Sequence, residues 1–280
     1  MIKNWLVRGD CHGEFTWLCR EQLDKYEPET TGIIILGDAG LNFYLNKTDA
    51  RVKKEVDAKG FYLYVVRGNH EARPHDLKDI TLCYDENVQG NVWIEPAYPH
   101  IRYFCDWGVY VIGGYKVAVI GGAYSVDKYW RLARFGLTKE TNIPKKTGWF
   151  ANEQLTTEEM SLAEKEFMSQ INLGIFDFVF SHTCPMSYEP TDMFLGSIDQ
   201  KTVDTSMETW MENLKNKFTI KYAWLFGHFH ADRIEAPHVE MYFKDIEDLE
   251  VIADRWTRYD KTGELDWWLV KGPQFYLHNT

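Results

Sequence analysis

The chain has 280 residues, 45% hydrophobic and 15% aromatic, including 11 Trp and 16 Tyr. This excludes a disordered chain and supplies ample apolar surface for a folded core. A formal charge of −11 sets a field that repels polyphosphate backbones, which counts against non-specific nucleic-acid binding.

Taken in chain order, apolar, β-rich runs end in polar or glycine-rich punctuation six times: WLVRGD, GIIILGD, FYLYVVRGNH, YKVAVIGGA, FDFVFSHT and YAWLFGHFH. Helix-like segments lie between them at FTWLCREQLDKY, TDARVKKEVDAKG, NEQLTTEEMSLAEKEFMSQI and TSMETWMENLKNK, with cap-like Thr48 and Asn152. The alternation predicts an α/β protein. From Trp93 to Gly122 the pattern changes to short β segments (IRYF, GVYVI, YKVAVI), where a second, more antiparallel sheet is expected to begin. After His230, VEMYFKDIEDLEVI, ELDWWLV and QFYLH alternate charge with aromatics and read as late edge strands. We therefore expect one domain over 1–280, with an extension over about 231–280 that adds edge strands. No apolar run approaches the roughly 18 residues of a membrane span. The five cysteines lack zinc-finger spacing and the N-terminus reads MIKNWLVRGD, so a soluble, cytoplasmic protein is expected.

The polar residues gather where these strands end, the place where neighbouring strands of an α/β sheet deliver side chains into one crevice. In order they are GDCHG (Gly9 to Gly13), GDAG (Gly37 to Gly40), RGNHE (Arg67 to Glu71), SHT (Ser181 to Thr183) and GHFH (Gly227 to His230). Asp10 and His12 stand two apart, as do His228 and His230. If each pair leaves its strand still extended, both side chains project to one side and can grip a metal. Carboxylate oxygen and imidazole nitrogen suit manganese, iron or zinc better than magnesium or calcium. So many polar groups in one dry crevice would destabilise the fold without a ligand to satisfy them.

The order Asp-x-His, Gly-Asp, Gly-Asn-His-Glu, His, Gly-His-x-His resembles the calcineurin-like metallophosphoesterase superfamily from about Asp10 to His230. It is similar in particular to the branch with GDxHG and RGNHE, which includes Ser/Thr protein phosphatases and diadenosine tetraphosphate hydrolases. The resemblance implies a four-layer α-β-β-α sandwich, two mixed sheets flanked by helices, with a dinuclear site at the strand C-terminal ends. It places Asp10, His12 and His230 on one metal, Asn69, His182 and His228 on the other, and Asp38 between them. It makes His70 the general acid. Such a site holds two divalent or trivalent ions, manganese first with iron or zinc as alternatives. They share and acidify a hydroxide that attacks phosphorus in line.

One departure bears on the substrate. Protein phosphatases continue the second motif as GDxVDRG, supplying an acidic partner for the catalytic His and an Arg for phosphate. Here it reads GDAGLNF, with Leu41 and Asn42 at those positions. Replacement cations are sought in Arg8, Arg73, Lys128 and Arg131, the last two in AYSVDKYWR, which also holds Tyr124 and Asp127. Cys11, between two candidate ligands, reads as packing. The expected substrate is a small phosphoester or phosphoanhydride. A phosphoprotein is the alternative, and a metal-bearing interaction module without catalysis is the competing class. Neither nucleic acid nor membrane is an expected partner.

Overall fold

The computed structural model describes residues 1–19, 21–137, 142–170 and 175–265. Among these, two mixed sheets pack face to face with helices outside both. The first contains β1 (Asn4–Arg8), β2 (Thr31–Ile35), β3 (Tyr62–Val65), β4 (Thr81–Asp85), β5 (Gly90–Ile94) and β6 (Ile101–Phe104). The second contains β7 (Trp107–Ile112), β8 (Tyr115–Ile120), β9 (Ile175–Ser181), β10 (Thr219–Phe226), β11 (Arg233–Ala236) and β12 (Val239–Met241). A last strand, β13 (Ile246–Asp248), returns to the first sheet. The orders are β13-β1-β2-β3-β6-β5-β4 and β11-β12-β10-β9-β8-β7.

Both sheets have parallel centres and antiparallel edges. The pairs β1–β2, β2–β3 and β3–β6 are parallel in the first sheet, as are β8–β9, β9–β10 and β10–β12 in the second. The expectation of a more antiparallel second sheet holds only for its flanks, β7–β8 and β11–β12. Parallel strands covered on both faces need apolar residues at every position, which is why they read as continuous runs. Trp5, Val7, Ile34 and Tyr64 of the first sheet meet Val117, Val119, Phe178, Phe180 and Leu225 of the second in the central core. Leu6, Ile33, Ile35, Leu63 and Val65 face outward onto Trp17, Leu18 and Val56. Phe176, Val179, Trp224 and Phe226 face outward on the other side, onto Phe167, Met207 and Met211. Three apolar layers thus separate four layers of structure.

The helices are α1 (Lys47–Asp57), the short α2 (Lys128–Ala133) and α3 (Pro144–Thr147), α4 (Thr157–Gln170), α5 (Ser206–Lys215) and α6 (Leu249–Thr262). The expected helix over FTWLCREQLDKY is instead two 3-10 turns, Thr16–Cys19 and Glu21–Leu23. The caps also differ from expectation. Asn46 Oδ1 accepts from Thr48 N at 2.7 Å, so Asn46 rather than Thr48 caps α1. A reciprocal pair caps α4: Glu159 N donates to Thr156 Oγ1 at 3.2 Å and Thr156 N to Glu159 Oε2 at 2.8 Å. Asn152 lies upstream and donates to Asp76.

In the tail, VEM and IED form β12 and β13, but the run LEVI opens α6. Leu249, Ile252, Ala253 and Trp256 recur at helical spacing and are buried in the central core, and Asp248 caps the helix through Glu250 N at 2.9 Å. The strands expected at ELDWWLV and QFYLH lie on residues outside the described set, apart from Glu264 and Leu265. Among the described residues no helix is long and apolar enough to cross a membrane.

Glu208, buried in the first turn of α5, anchors the loop after β9 by accepting from Thr183 Oγ1 at 2.8 Å, and its other oxygen has no partner. Burial pushes its carboxyl up to about 7, against the ordinary 4.5, with Thr183 opposing. The folded chain therefore holds this proton more tightly than the unfolded chain. The resulting stability is full below the ordinary value and is lost as pH rises through about 7. That difference is worth roughly 3 kcal/mol. Glu208→Gln, which cannot ionise, should match the parent in thermal midpoint at about pH 4 and exceed it at about pH 8. Equal gaps at the two pH values would refute this assignment.

Candidate metal centre

GDCHG leaves β1, GDAG leaves β2 and RGNHE leaves β3, while SHT ends β9 and GHFH leaves β10. All five motifs occupy the carboxyl ends of parallel strands, three from one sheet and two from the other. The structure brings all seven sequence-predicted ligands into one cluster. Donor atoms of Asp10, His12 and His230 lie within 4.8 Å of one another, and so do those of Asp10, Asp38 and His182. Asn69 Oδ1 is 2.9 Å from His182 Nε2, and the His228 ring centroid is 4.9 Å from that of His182.

How the side chains converge differs from expectation. The spacing of two was read as an extended pleat, yet His12, His228 and His230 have φ of 48°, 67° and 56°, and Asp38 has 44°. The chain has left the strand and turned left-handed at each of these ligands, a conformation that non-glycine residues adopt at a cost. Backbone donors reach the carboxylates: His228 N, at one of these turns, meets Asp10 Oδ1 at 2.9 Å, and His70 N meets Asp38 Oδ1 at 2.8 Å. Glycine is required where these loops touch. A Cβ on Gly68 would fall 2.0 Å from Asp38 Oδ1, and one on Gly227 would fall 2.4 Å from Asp10 Oδ1. Glu71 ties two of the loops together by accepting from Gly40 N at 2.8 Å and Gly68 N at 3.4 Å.

The electrostatics are those of a cation site. Burial pushes the Asp10 carboxyl up, but the charge of His182 and hydrogen bonds from His12 and His230 hold it well below the usual carboxylate range. Asp38 is likewise raised by burial and lowered further by His182 and His70, with the same outcome. Burial would lower His182, yet Asp38 and Asp10 raise it to about 9. For His228 burial prevails, aided by His182, and the imidazole falls to about 3. Burial also lowers His70, an effect that Asp38 opposes and Arg131 reinforces. Burial pushes the Cys11 thiol up to about 12, leaving it un-ionised and consistent with packing.

Hydrogen-bond polarity gives a direct test of whether these residues fit a metal. His182 Nδ1 lies 2.8 Å from the Leu36 carbonyl, which can only accept, so the ring proton sits there. Its Nε2 then faces two more acceptors, Asn69 Oδ1 at 2.9 Å and Asp38 Oδ1 at 3.6 Å. On the other side His12 Nε2 and His230 Nε2 face each other at 2.9 Å, with Asp10 Oδ2 at 3.6 and 3.1 Å respectively. At His182 lone pairs converge and call for a positive centre, either an added proton or a cation, whereas neutral His12 and His230 can satisfy one another and Asp10 through Nε2–H. Oxygen and imidazole donors without a thiolate fit manganese, iron or zinc.

His70 is reached from two sides by N–H groups, Asn69 Nδ2 at 3.3 Å and Arg131 Nη2 at 3.4 Å, both on its Nε2. Of the four cations proposed for phosphate, Arg131 is the one the structure places here. Asp127 holds Arg131 Nε with both oxygens at 2.8 Å. Arg73 is buried instead: it donates to the Asn152 and Gln154 carbonyls and pairs with Asp106 at 3.1 Å and with Glu159. Arg8 lies over the Trp17 ring, 4.5 Å from its centroid, and donates to the Lys244 carbonyl. Lys128 is buried among the rings of Tyr124, Tyr129 and Trp149. These three side chains are committed to the fold. Leu41 and Asn42 are buried as well, so the second motif offers no substitute for the missing Asp and Arg.

Sequence reasoning missed Ser125 and Glu153, which lie behind Asn69: Asn69 Nδ2 donates to Ser125 Oγ at 2.8 Å, and Ser125 donates onward to Glu153. Ser125 follows an apolar strand end and Glu153 fell inside a segment read as helix, so neither carried a motif.

No curated protein matches the chain. Among solved structures it is similar to a crystal structure of a phosphopantetheinyl hydrolase from Mycobacterium tuberculosis, at 11% identity and a TM-score of 0.41, with 99% of this chain and 98% of that chain covered. The sequence matches the calcineurin-like phosphoesterase family over residues 6–232, a span that takes in every candidate ligand, and the chain belongs to that family.

Proposed function

We propose that this chain hydrolyses small phosphoesters or nucleotide-type phosphoanhydrides at a centre of two metal ions, manganese first, with iron or zinc as alternatives. Asp10, His12 and His230 would hold one ion and Asn69, His182 and His228 the other, with Asp38 serving both. The observation that carries this reading is the meeting of acceptors at His182 Nε2, where Asn69 and Asp38 present oxygens and no donor. When bound, such ions supply Lewis acidity, lowering the pKa of water and drawing charge off phosphoryl oxygens.

The chain's own residues do the rest. Asp127 fixes Arg131 through Nε, which leaves Nη2 directed at the His70 side of the crevice as a phosphate donor. In the protein without substrate, His70 Nε2 accepts from that guanidinium. A phosphate oxygen at Arg131 becomes the better acceptor and takes over this N–H. The imidazole is then relieved of a repelling cation and can carry the proton that the leaving alkoxide needs. The rebuilt clamp and the acidic surface favour a small substrate over a phosphoprotein.

The test is hydrolysis of an aryl phosphate monoester and diester by metal-stripped protein, with and without manganese, beside elemental analysis. We expect manganese-dependent release of the phenol and about two metals per chain. Protein that takes up no metal would overturn the reading. His70→Ala should bind manganese normally and lose about 10²–10⁴-fold in kcat. Arg131→Ala should lose about 10–100-fold in kcat/KM at unchanged metal content, as removal of a charged hydrogen bond predicts. Arg131→Ala with parental kcat/KM would remove Arg131 from the site.

A further inference from the structure

Asn69 can serve as a metal ligand only through its oxygen, since the amide nitrogen has no lone pair to give. A side-chain amide is nearly symmetric in shape, so something must hold Oδ1, rather than Nδ2, toward His182. Besides the longer contact of Nδ2 with His70 Nε2 at 3.3 Å, the structure shows a shorter and buried one. Asn69 Nδ2 donates to Ser125 Oγ at 2.8 Å. The Ser125 hydroxyl donates in turn to Glu153 Oε2 at 2.5 Å, while Ser125 N donates to Glu153 Oε1 at 3.0 Å. When Glu153 is ionised, both of its oxygens take hydrogens from Ser125, and the hydroxyl proton is then committed to Glu153. The hydroxyl therefore offers Asn69 only a lone pair, which an N–H can meet and an amide oxygen cannot. Asn69, Ser125 and Glu153 are all buried, at 1%, 1% and 3% exposure, so water cannot take over either partner. Glu153 is itself fixed through its backbone, whose carbonyl accepts from Arg67 Nη1 at 2.8 Å, and Arg67 pairs with Asp106 through Nε.

We propose that Ser125 and Glu153 are positioning residues that fix the amide orientation of Asn69 and so set the affinity of one of the two metal sites. This rests on the metal-centre reading above. Arg67 of the RGNHE motif and the segment after β8 belong to the same device: a buried ion pair secures Glu153, Glu153 polarises Ser125, and Ser125 orients the ligand.

The test is calorimetric titration of metal-stripped protein with manganese chloride. The proteins compared are the parent, Ser125→Ala, Ser125→Thr, Glu153→Gln, Asn69→Ala and the double variant Ser125→Ala/Asn69→Ala, each with its metal-free thermal midpoint. Loss of a partner to a metal ligand costs about 10–100-fold in affinity. Ser125→Ala should weaken one manganese site by about that factor and leave the other at its parental value. Ser125→Thr, which keeps the hydroxyl, should recover most of the loss. In the Asn69→Ala background Ser125→Ala should cause no further loss, because it acts only through that amide. Should Ser125→Ala fail to fold, Glu153→Gln supplies the reading, since its amide must turn a donor toward one of the two Ser125 hydrogens. Parental affinity at both sites in Ser125→Ala and Glu153→Gln would overturn the proposal. So would an undiminished effect of Ser125→Ala without Asn69. A parent protein that binds no manganese would instead overturn the metal-centre reading beneath it.

Discussion

The structure depends on keeping Asp10 and Asp38 ionised at positions that almost no water reaches, beneath the more exposed His12 and His230. They are 1% and 2% exposed, and removing two carboxylates from solvent costs several kcal/mol each unless opposite charge and donors replace the water. Much of the local architecture answers this requirement. The His228 and His70 amides point at the carboxylates, and His182, His12 and His230 surround them. The left-handed turn at His228 becomes intelligible on this basis, because its amide meets Asp10 Oδ1. Gly68 and Gly227 serve the same end by letting backbone approach the carboxylate oxygens where any side chain would collide with them.

The sandwich supplies this crevice through its topology. Parallel strands in both sheets deliver their carboxyl ends to one edge, so loops from β1, β2 and β3 face loops from β9 and β10 across the central core. That core holds Tyr64, Phe104, Phe178 and Phe180 between the sheets, and its rigidity fixes the distance between the two halves of the site. Neither sheet alone holds the ligand set: Asp10, His12, Asp38 and Asn69 come from one side, and His182, His228 and His230 from the other.

The strands, the alternation with helices and the seven clustered residues were legible because each rests on local sequence. A run such as GIIILGD states both a two-faced buried strand and the polar residue that ends it. What failed depended on contacts between distant residues or on conformations without a sequence period. LEVI alternates closely enough to pass for a strand, and packing of Leu249, Ile252 and Trp256 against the central core makes α6 a helix. FTWLCREQLDKY has helical spacing but breaks into two 3-10 turns. Arg73 looked available for phosphate because its partners Asp106 and Glu159 are remote in sequence. Ser125 and Glu153 carry no motif, since orienting an amide needs only one hydroxyl and one acceptor in the right place.

The second motif lacks the phosphatase Asp and Arg, and a carboxylate–guanidinium pair stands beside His70 on another element. After β8 the chain passes Ser125 and Asp127 and enters α2, where Arg131 follows one turn from Asp127. Within seven residues this segment orients the Asn69 amide at one end and places a restrained guanidinium beside His70 at the other. It belongs to the second sheet, whereas the GDAG loop belongs to the first. A guanidinium carried there meets His70 from the wall opposite the GDAG loop, where Leu41 and Asn42 pack: both are buried, and the Asn42 carbonyl accepts from Ala72 N at 3.1 Å.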